Sequence, residues 1–506
     1  MCSTACSITK SWRKKNCLMD IPPPGPEESL EKDGIVLASH ALHFEPDAAE
    51  QRRVLLKIDL IFLPLASIFV MFQMLDKALL NYVNLMGIQD NIGMRGTQFS
   101  WLGTIFFLGY LTGTPIHVWF LQNMVLSRYV SAVLIIWGVV LMCHAACNSF
   151  SGLMACRFFL GVLEAGINSA FILLTGRFYK REEQVLRTAI WASSNGWSLI
   201  VGGLIAYGIL THPSPYLAMW KELYIAVGAA TIGVGVCCII FLPSSPATTW
   251  YLSPRQRIVA VYRIASNQSG IHDSRFKWYQ FKEAFMDIRL YLFFLAFACI
   301  NVGNGGISNF ASEIITEFTE EKRENALLGM SQGAAVIVSI IIGTVLFMCL
   351  GRRDIPCVFG HLVAVTGTAM MTWLDPSMRV TRMAGLALVN FFSIAYPMLY
   401  SWQTSAVAGT TKRIIFNSNL QVAYCVGNAV GPQAFAEKDK PNHYLPGKIN
   451  MLAMYAASAM FISLVSLVHW KRNQKRTDVK LCDEEDFRIA LSDLTDMERL
   501  TYKYAY

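Results

Sequence analysis

Apolar runs of about 20 residues recur along nearly the whole chain, separated by short polar segments. A bilayer-crossing helix needs about 20 mostly apolar residues. The pattern therefore predicts an all-α membrane protein with twelve transmembrane helices. They fall near 60–83, 99–121, 126–146, 150–174, 188–210, 222–242, 288–312, 326–349, 355–374, 383–402, 414–435 and 450–470. The seventh and eleventh runs are the richest in Gly and Asn. The longest internal polar stretch separates six runs from six. This predicts an N-terminal tail (1–59), a six-helix half (60–242), a linker (243–287), a second six-helix half (288–470) and a C-terminal tail (471–506). Within the linker, Pro254 to Ala265 has the period of an amphipathic surface helix.

Composition agrees with this class. Of the 506 residues 54% are hydrophobic and only 15% charged, against about 25% charged in soluble domains. The net charge of +8 invites a nucleic-acid reading, but its placement argues for membrane orientation. With both termini inside, the inner loops and their span ends carry 16 Lys and Arg, and the outer ones 9. Cytoplasmic segments are enriched in such residues, so both tails and the linker are expected in the cytoplasm. The plasma membrane is the expected location, with lipid around the bundle. Residues 1–59 contain Lys10, Arg13, Lys14 and Lys15 but no apolar leader core, so the first span is expected to be an uncleaved anchor. Asn267-Gln-Ser269 is a glycosylation sequon, which this topology leaves unmodified inside the cell. The Asp483–Asp486 region is expected to form a polar tail.

Chemistry-bearing motifs are few. The 13 cysteines lie mostly in apolar runs without a C-x-x-C pair, which suits packing better than a disulfide framework or a metal site. No phosphate-binding loop, cofactor motif or nucleophile–base set stands out, so no enzyme, metal or cofactor is expected. Charges inside a bilayer cost about 2.5–3.5 kcal/mol each on insertion scales and usually face a bundle interior. The fourth run holds Arg157, Gly161, Glu164 and Asn168, which at helical spacing share one face. The first holds Gln73, Asp76, Lys77, Asn81 and Asn84. Lys77 suits a substrate carboxylate or a snorkelling role at the outer interface. Glu164 suits proton coupling or a folding role against a distant cation. The seventh holds Asn301, Asn304, Ser308 and Asn309, and its Gly303-Asn-Gly-Gly306 cluster is expected to weaken the helix beside a cavity. The tenth holds Asn390, Tyr396, Trp402 and Gln403. His117, His144 and His361 read as packing residues.

Several stretches carry a resemblance: LLKIDLIFLPL, QMLDKALLNYVNLMGI, FSWLGTIFFLGYL, CRFFLGVLEAG, LLTGRFYKREEQVLRTAIW, LLGMSQGAA, AGTTKR and YCVGNAVGPQAFAEKDKPNHYLPG. In order and spacing they resemble the fungal allantoate permease-type, anion:cation symporter branch of the major facilitator superfamily, over about 50–475. The resemblance implies a major facilitator fold and uptake of a small organic anion, an allantoate-, ureido- or vitamin-like carboxylate, together with protons, by a monomer. It implies cavity-lining roles for the first, fourth, seventh and tenth spans. Arg157, Glu164 and Asp76 then become proton-coupling candidates. Gln73, Lys77, Asn81, Asn168, Asn301, Asn304, Asn390, Tyr396 and Gln403 become substrate-binding candidates. The loop after the second span, FLQNMVLSRYV, keeps only Arg128 of the superfamily's usual pattern, and the loop after the eighth keeps Gly351-Arg-Arg353. Export of a fungal secondary metabolite and a non-transporting nutrient sensor remain alternatives.

Overall fold

In the computed structural model the described residues are 46–180, 193–265, 276–319, 321–375, 377–435, 437–476 and 494–499, with Glu183, Arg187, Ile190, Trp191, Tyr502, Lys503, Tyr504 and Tyr506. Most of the N-terminal tail, the sequon at Asn267 and the Asp483–Asp486 run lie outside them. The described residues form helices and connecting turns. The helices are α1 (Ala48–Leu85), α2 (Gln98–Asn123), α3 (Leu126–Ala146), α4 (Phe150–Glu164), α5 (Ile167–Phe178), α6 (Ser194–Thr211), α7 (Met219–Phe241), α8 (Pro254–Ala265), α9 (Trp278–Met286), α10 (Ile288–Ile315), α11 (Lys322–Leu350), α12 (Asp354–Trp373), α13 (Arg379–Val389), α14 (Ala395–Ala406), α15 (Thr410–Val430) and α16 (Leu445–Gln474).

Among the described residues ten helical stretches are long and apolar enough to cross a membrane, α4–α5 and α13–α14 each counting as one. Helices α6 and α15 occupy the fifth and eleventh expected spans without reaching that mark. The physical reason in α15 is polarity: Lys412, Arg413, Asn417, Asn419, Gln421 and Asn428 interrupt its apolar surface. It is packed between α10 and α2, while α6 is packed between α1 and α11. Neighbouring helices therefore supply part of the surroundings that lipid supplies elsewhere.

Two expectations about helix continuity are corrected. Helix α10 runs unbroken through Gly303–Gly306. These glycines serve close packing. A Cβ on Gly305 would lie 2.8 Å from the Asn428 carbonyl oxygen, and one on Gly306 would lie 2.6 Å from the Phe435 ring. The breaks lie instead in the fourth span, between Glu164 and Ile167, and in the tenth, where a 3-10 turn (Asn390–Ile394) joins α13 to α14. Asn168 lies beyond the first break, in α5. Gly161 lies tight against the Phe106 carbonyl of α2.

The two sets of helices meet along three seams: α1 with α10, α2 with α15, and α6 with α11. At the end carrying the α1–α2 loop, the closed end, these seams are tied by polar bonds. Asn81 Oδ1 accepts from Ser312 N (2.7 Å), Asn84 donates to Glu313 (3.1 Å), and Thr104 donates to the Ala429 carbonyl (2.7 Å). Phe310 stacks on Phe435 (centroids 5.0 Å apart) and meets the edge of Phe99 (5.4 Å). Gly196 and Gly333 let α6 and α11 approach closely, since a Cβ on either would lie within 2.6 Å of the other's carbonyl.

The expected surface helix is present as α8, spanning Pro254–Ala265 and packed on α1. The C-terminal tail departs from its expectation as a simple polar tail. Its described end docks at the helix ends opposite the α1–α2 loop. Asp496 is fully buried and lies 2.5 Å from Arg289 and 2.9 Å from Lys412. Tyr504 donates to Asp496 (2.8 Å), and Arg353 N donates to the Tyr506 carbonyl (2.8 Å). Burial alone would raise the Asp496 carboxyl, but Arg289 and Lys412 outweigh it and hold it below the usual carboxylate range. A depressed acid contributes stability above its ordinary pKa, which is lost as pH falls through the folded value. Asp496→Asn mimics that loss at neutral pH. Breaking a buried pair costs about 3–5 kcal/mol, so trypsin is expected to cut the variant much faster than wild type at Arg499 and Lys503. Unchanged cleavage would mean that Asp496 does not hold the tail.

Candidate functional site

The ion pair between Lys77 and Glu164 lies at the centre of the bundle. Helix α1 supplies Gln73, Asp76 and Lys77 within two turns, and the last residue of α4 supplies Glu164. Lys77 Nζ lies 2.5 Å from Glu164 Oε1, and Gln73 Nε2 donates to the same oxygen at 2.9 Å. Glu164 has no exposed surface, whereas the Lys77 side chain retains 14%. Glu164 Oε2 has no hydrogen-bond partner. An unmatched buried acceptor is costly, so this oxygen is a natural place for a proton or a water.

Beside this pair stands a second group. Asp76 accepts from the indole N–H of Trp137 on α3 (2.9 Å), and its other oxygen has no partner. Arg157 donates to the Tyr224 hydroxyl on α7 (2.8 Å). The Tyr224 ring is backed by His144 at 4.7 Å. Asp76 is close enough to Arg157, Glu164 and Lys77 to feel their charges. Asp76 and Lys77 do not pair with each other, as their angular separation on the helix requires. Arg157 and Glu164 likewise take separate partners. Lys77 faces the bundle interior and does not snorkel.

Across the bundle, α10, α14 and α15 build an amide ladder. Asn301 Oδ1 accepts from Tyr396 (2.8 Å) and from Asn428 (2.7 Å). Asn304 Nδ2 donates to Asn428 Oδ1 (2.8 Å), and Ser308 donates to Asn304 Oδ1 (3.3 Å). Between ladder and ion pair lies a cavity lined by Lys77, Arg157, Asn304, Ser308, Tyr424 and Asn428, with about 40 Å³ open to water-sized occupants. At about 10–15 Å³ per water on this measure, it has room for about three waters, too few to admit an organic acid without rearrangement.

The structure thus brings together Gln73, Asp76, Lys77, Arg157 and Glu164 on one side, and Asn301, Asn304 and Tyr396 on the other. Four other candidates are absent from these groups. Asn81 ties α1 to α10 at the closed end. Asn390 donates to its own helix at Leu386. Gln403 donates to Asn417 (3.3 Å). Asn168 follows the helix break and joins none of these bonds. Sequence reasoning passed over Tyr424, whose ring centroid lies 5.7 Å from Lys77 Nζ, and Asn428, both in the eleventh span. Their spacing of four residues, with Asn417 and Gln421 nearby, was the available signal. His117, His144 and His361 all bond to backbone carbonyls, which fits their reading as packing residues.

The helical bundle, its seams and this buried charge group can be set beside known proteins. The Major Facilitator Superfamily model matches residues 66–432. The chain belongs to the major facilitator superfamily. Among its relatives is the Thiamine pathway transporter THI73 of Saccharomyces cerevisiae, 31% identical, with 95% of this chain and 91% of that protein covered. The Allantoate permease of the same yeast is 29% identical, with 93% and 90% covered. These relatives agree with the resemblance carried by the sequence motifs. The crystal structure of a bacterial homologue of the human lysosomal transporter Spinster, inward-facing and occupied, superposes with a TM-score of 0.61 at 15% identity, covering 80% of this chain and 96% of that one. The fold is therefore that of a multi-pass major facilitator transporter.

The Lys77–Glu164 pair predicts a non-additive pattern in such a protein. Lys77→Met leaves a buried carboxylate without its cation, which costs about 3–5 kcal/mol. Adding Glu164→Gln removes the unmatched charge. The single variant is expected to lower the apparent Tm in detergent, and the double variant to recover most of the loss. Additive losses would show that the two groups are uncoupled.

Proposed function

We propose that the protein takes up a small organic anion, an allantoate-, ureido- or vitamin-like carboxylate, together with protons, by alternating access. The observation that carries this reading is the Lys77–Glu164 pair at the edge of the cavity. Lys77 lines the cavity, so its ammonium is the charge of the pair that an entering carboxylate meets first. As that carboxylate takes over Lys77, Glu164 is left buried without its counter-charge. Burial without a cation favours the neutral acid, so anion binding and protonation of Glu164 favour one another. Losing the anion lets Lys77 reclaim Glu164 and expel the proton. Gln73 holds the carboxyl in place through the exchange. Arg157, fixed by Tyr224, supplies a second positive charge facing the cavity, and Asp76 balances it. The amide ladder offers donors and acceptors to the uncharged part of the substrate.

Energetics supports coupling. An anion entering a negative-inside cell is opposed by about 2.3 kcal/mol per charge per 100 mV. One proton cancels this and two make entry favourable. Residues 60–242 and 288–470 form the two halves that rock about the three seams, and 243–287 links them. On this reading both termini lie in the cytoplasm and the α1–α2 loop outside, an orientation that the charge bias supports, and the membrane is the plasma membrane. The names of the yeast relatives, an allantoate permease and a thiamine pathway transporter, accord with small organic solutes.

Radiolabelled uptake of an organic-acid panel into cells expressing the chain tests the reading. Uptake is expected to rise as external pH falls and to collapse with a protonophore. Sodium-dependent uptake indifferent to the protonophore would overturn proton coupling. At matched surface abundance, Glu164→Gln is expected to abolish accumulation against a gradient while leaving counterflow. Arg157→Lys keeps the charge but loses the planar fork that holds Tyr224, and is expected to slow uptake about tenfold or more, as loss of a charge-assisted hydrogen bond implies. Normal pH-dependent accumulation by Glu164→Gln would transfer the coupling role to Asp76.

A further inference from the structure

Beyond the transport site, one pair of thiols is placed for chemistry that the packing reading of the cysteines does not foresee. Helix α3 ends at Ala146 with Cys147 as its cap, and α4 begins at Phe150 with Ser149 as its cap, accepting from Gly152 N at 3.3 Å. The tight turn folds α4 back beside the end of α3. Cys156, two turns into α4, then faces Cys147 with the sulfurs 3.7 Å apart. Cys147 Sγ is directed along α3 by its bond to the Cys143 carbonyl (3.4 Å). The space it fills exists because residue 152 is glycine, since a Cβ there would lie 3.2 Å from the sulfur. Both thiols are partly exposed. The sulfurs are at van der Waals separation, and a bond at about 2.05 Å requires them to approach by less than 2 Å at a turn with no intervening element.

We propose that Cys147 and Cys156 form a reversible disulfide, a peroxide-sensitive staple between α3 and α4. The chemistry balances with a peroxide as oxidant. One thiol sulfur attacks a peroxide oxygen, the O–O bond breaks, and a sulfenic acid and water form as the thiol proton passes to the departing hydroxide. The second sulfur then attacks the sulfenic sulfur, the S–O bond breaks, and the second thiol proton leaves with the hydroxyl as water. Two electrons pass from the thiols to the peroxide. A dithiol restores both cysteines by exchange. The staple fixes the α4 segment that carries Arg157, the next residue, whose guanidinium is anchored to Tyr224. Oxidation therefore reaches the edge of the transport cavity without touching it.

The test uses the full chain in membrane vesicles. Vesicles are treated with hydrogen peroxide, remaining thiols are blocked with N-ethylmaleimide, and the digest is read by mass spectrometry. The expected result is a peptide joined through Cys147 and Cys156, loss of both from the alkylated pool, and their return after dithiothreitol. Cys147→Ser is expected to abolish the joined peptide, and Cys143→Ser to leave it intact. Full alkylation of both cysteines after peroxide would overturn the proposal. So would a link from Cys156 to Cys143, the neighbouring thiol one turn back on α3. Wild type supplies the decisive reading, so misfolding of a variant does not shelter the idea.

Discussion

The arrangement of the bundle depends on one constraint: a carboxylate with no exposed surface cannot remain charged in a low-dielectric interior without a cation. Glu164 meets that constraint through Lys77, which comes from a different helix. The pair therefore fixes the rotation of α1 against α4. Once α1 is set, Asp76 reaches Trp137 on α3, and Asn81 and Asn84 reach α10 and Glu313 at the closed end. Local charge pairing thereby propagates into helix register along the whole first span.

The closed end is built from different physics. Its ties are backbone carbonyls, amides and stacked rings, with glycines permitting close helix approach. Small residues at helix contacts let backbones pack tightly where lipid offers no competing hydrophobic drive. Apart from the Glu313 carboxylate that accepts from Asn84, these ties are uncharged, so separating them costs less than separating buried ion pairs. Buried ions cluster away from the seams. One group is at the cavity edge. A second, Glu317 with Arg382 and Lys448, lies within the second set of helices past the end of α10. A third is at the opposite end, where Asp287, Arg289, Lys412 and Asp496 lock α10, α15 and the C-terminal tail together. Seams made of neutral contacts between sets of helices locked by ions suit a molecule that hinges along the seams.

Much of this was legible in the sequence because hydrophobic length and charge bias are properties of segments. Among the described residues ten helical stretches show the apolar length that the runs predicted, and the linker helix covers Pro254–Ala265 as its period predicted. Gln73, Asp76, Lys77, Arg157 and Glu164 were recognisable because ionisable and polar groups in apolar runs need partners. The choice of partner was not legible. Lys77 with Glu164, and Arg157 with Tyr224, are contacts between residues 87 and 67 positions apart, set by how helices pack and not by any local pattern. Helix continuity misled for a related reason. Gly303–Gly306 reads as a weak point in isolation, yet Asn428 and Phe435 pack where its side chains would be and the helix runs through unbroken. The tail misled because Asp496 looks like one more surface acid until Arg289 and Lys412 are brought beneath it.

The division of labour between the two buried acids follows from their partners. Asp76 is bound to a neutral indole within its own set of helices, and no entering anion can take that donor from it by charge. Glu164 shares a cation that itself lines the cavity, whose far wall is Tyr424 and the amide ladder. An anion therefore competes for Lys77 directly, and every gain it makes weakens the stabilisation of the Glu164 charge. Because the two effects act through one ammonium, the coupling is reciprocal: a proton on Glu164 frees Lys77 for the anion to the same degree that the anion favours the proton. On the proposed reading, a single lysine then suffices to link the two gradients, and no longer relay between them is required.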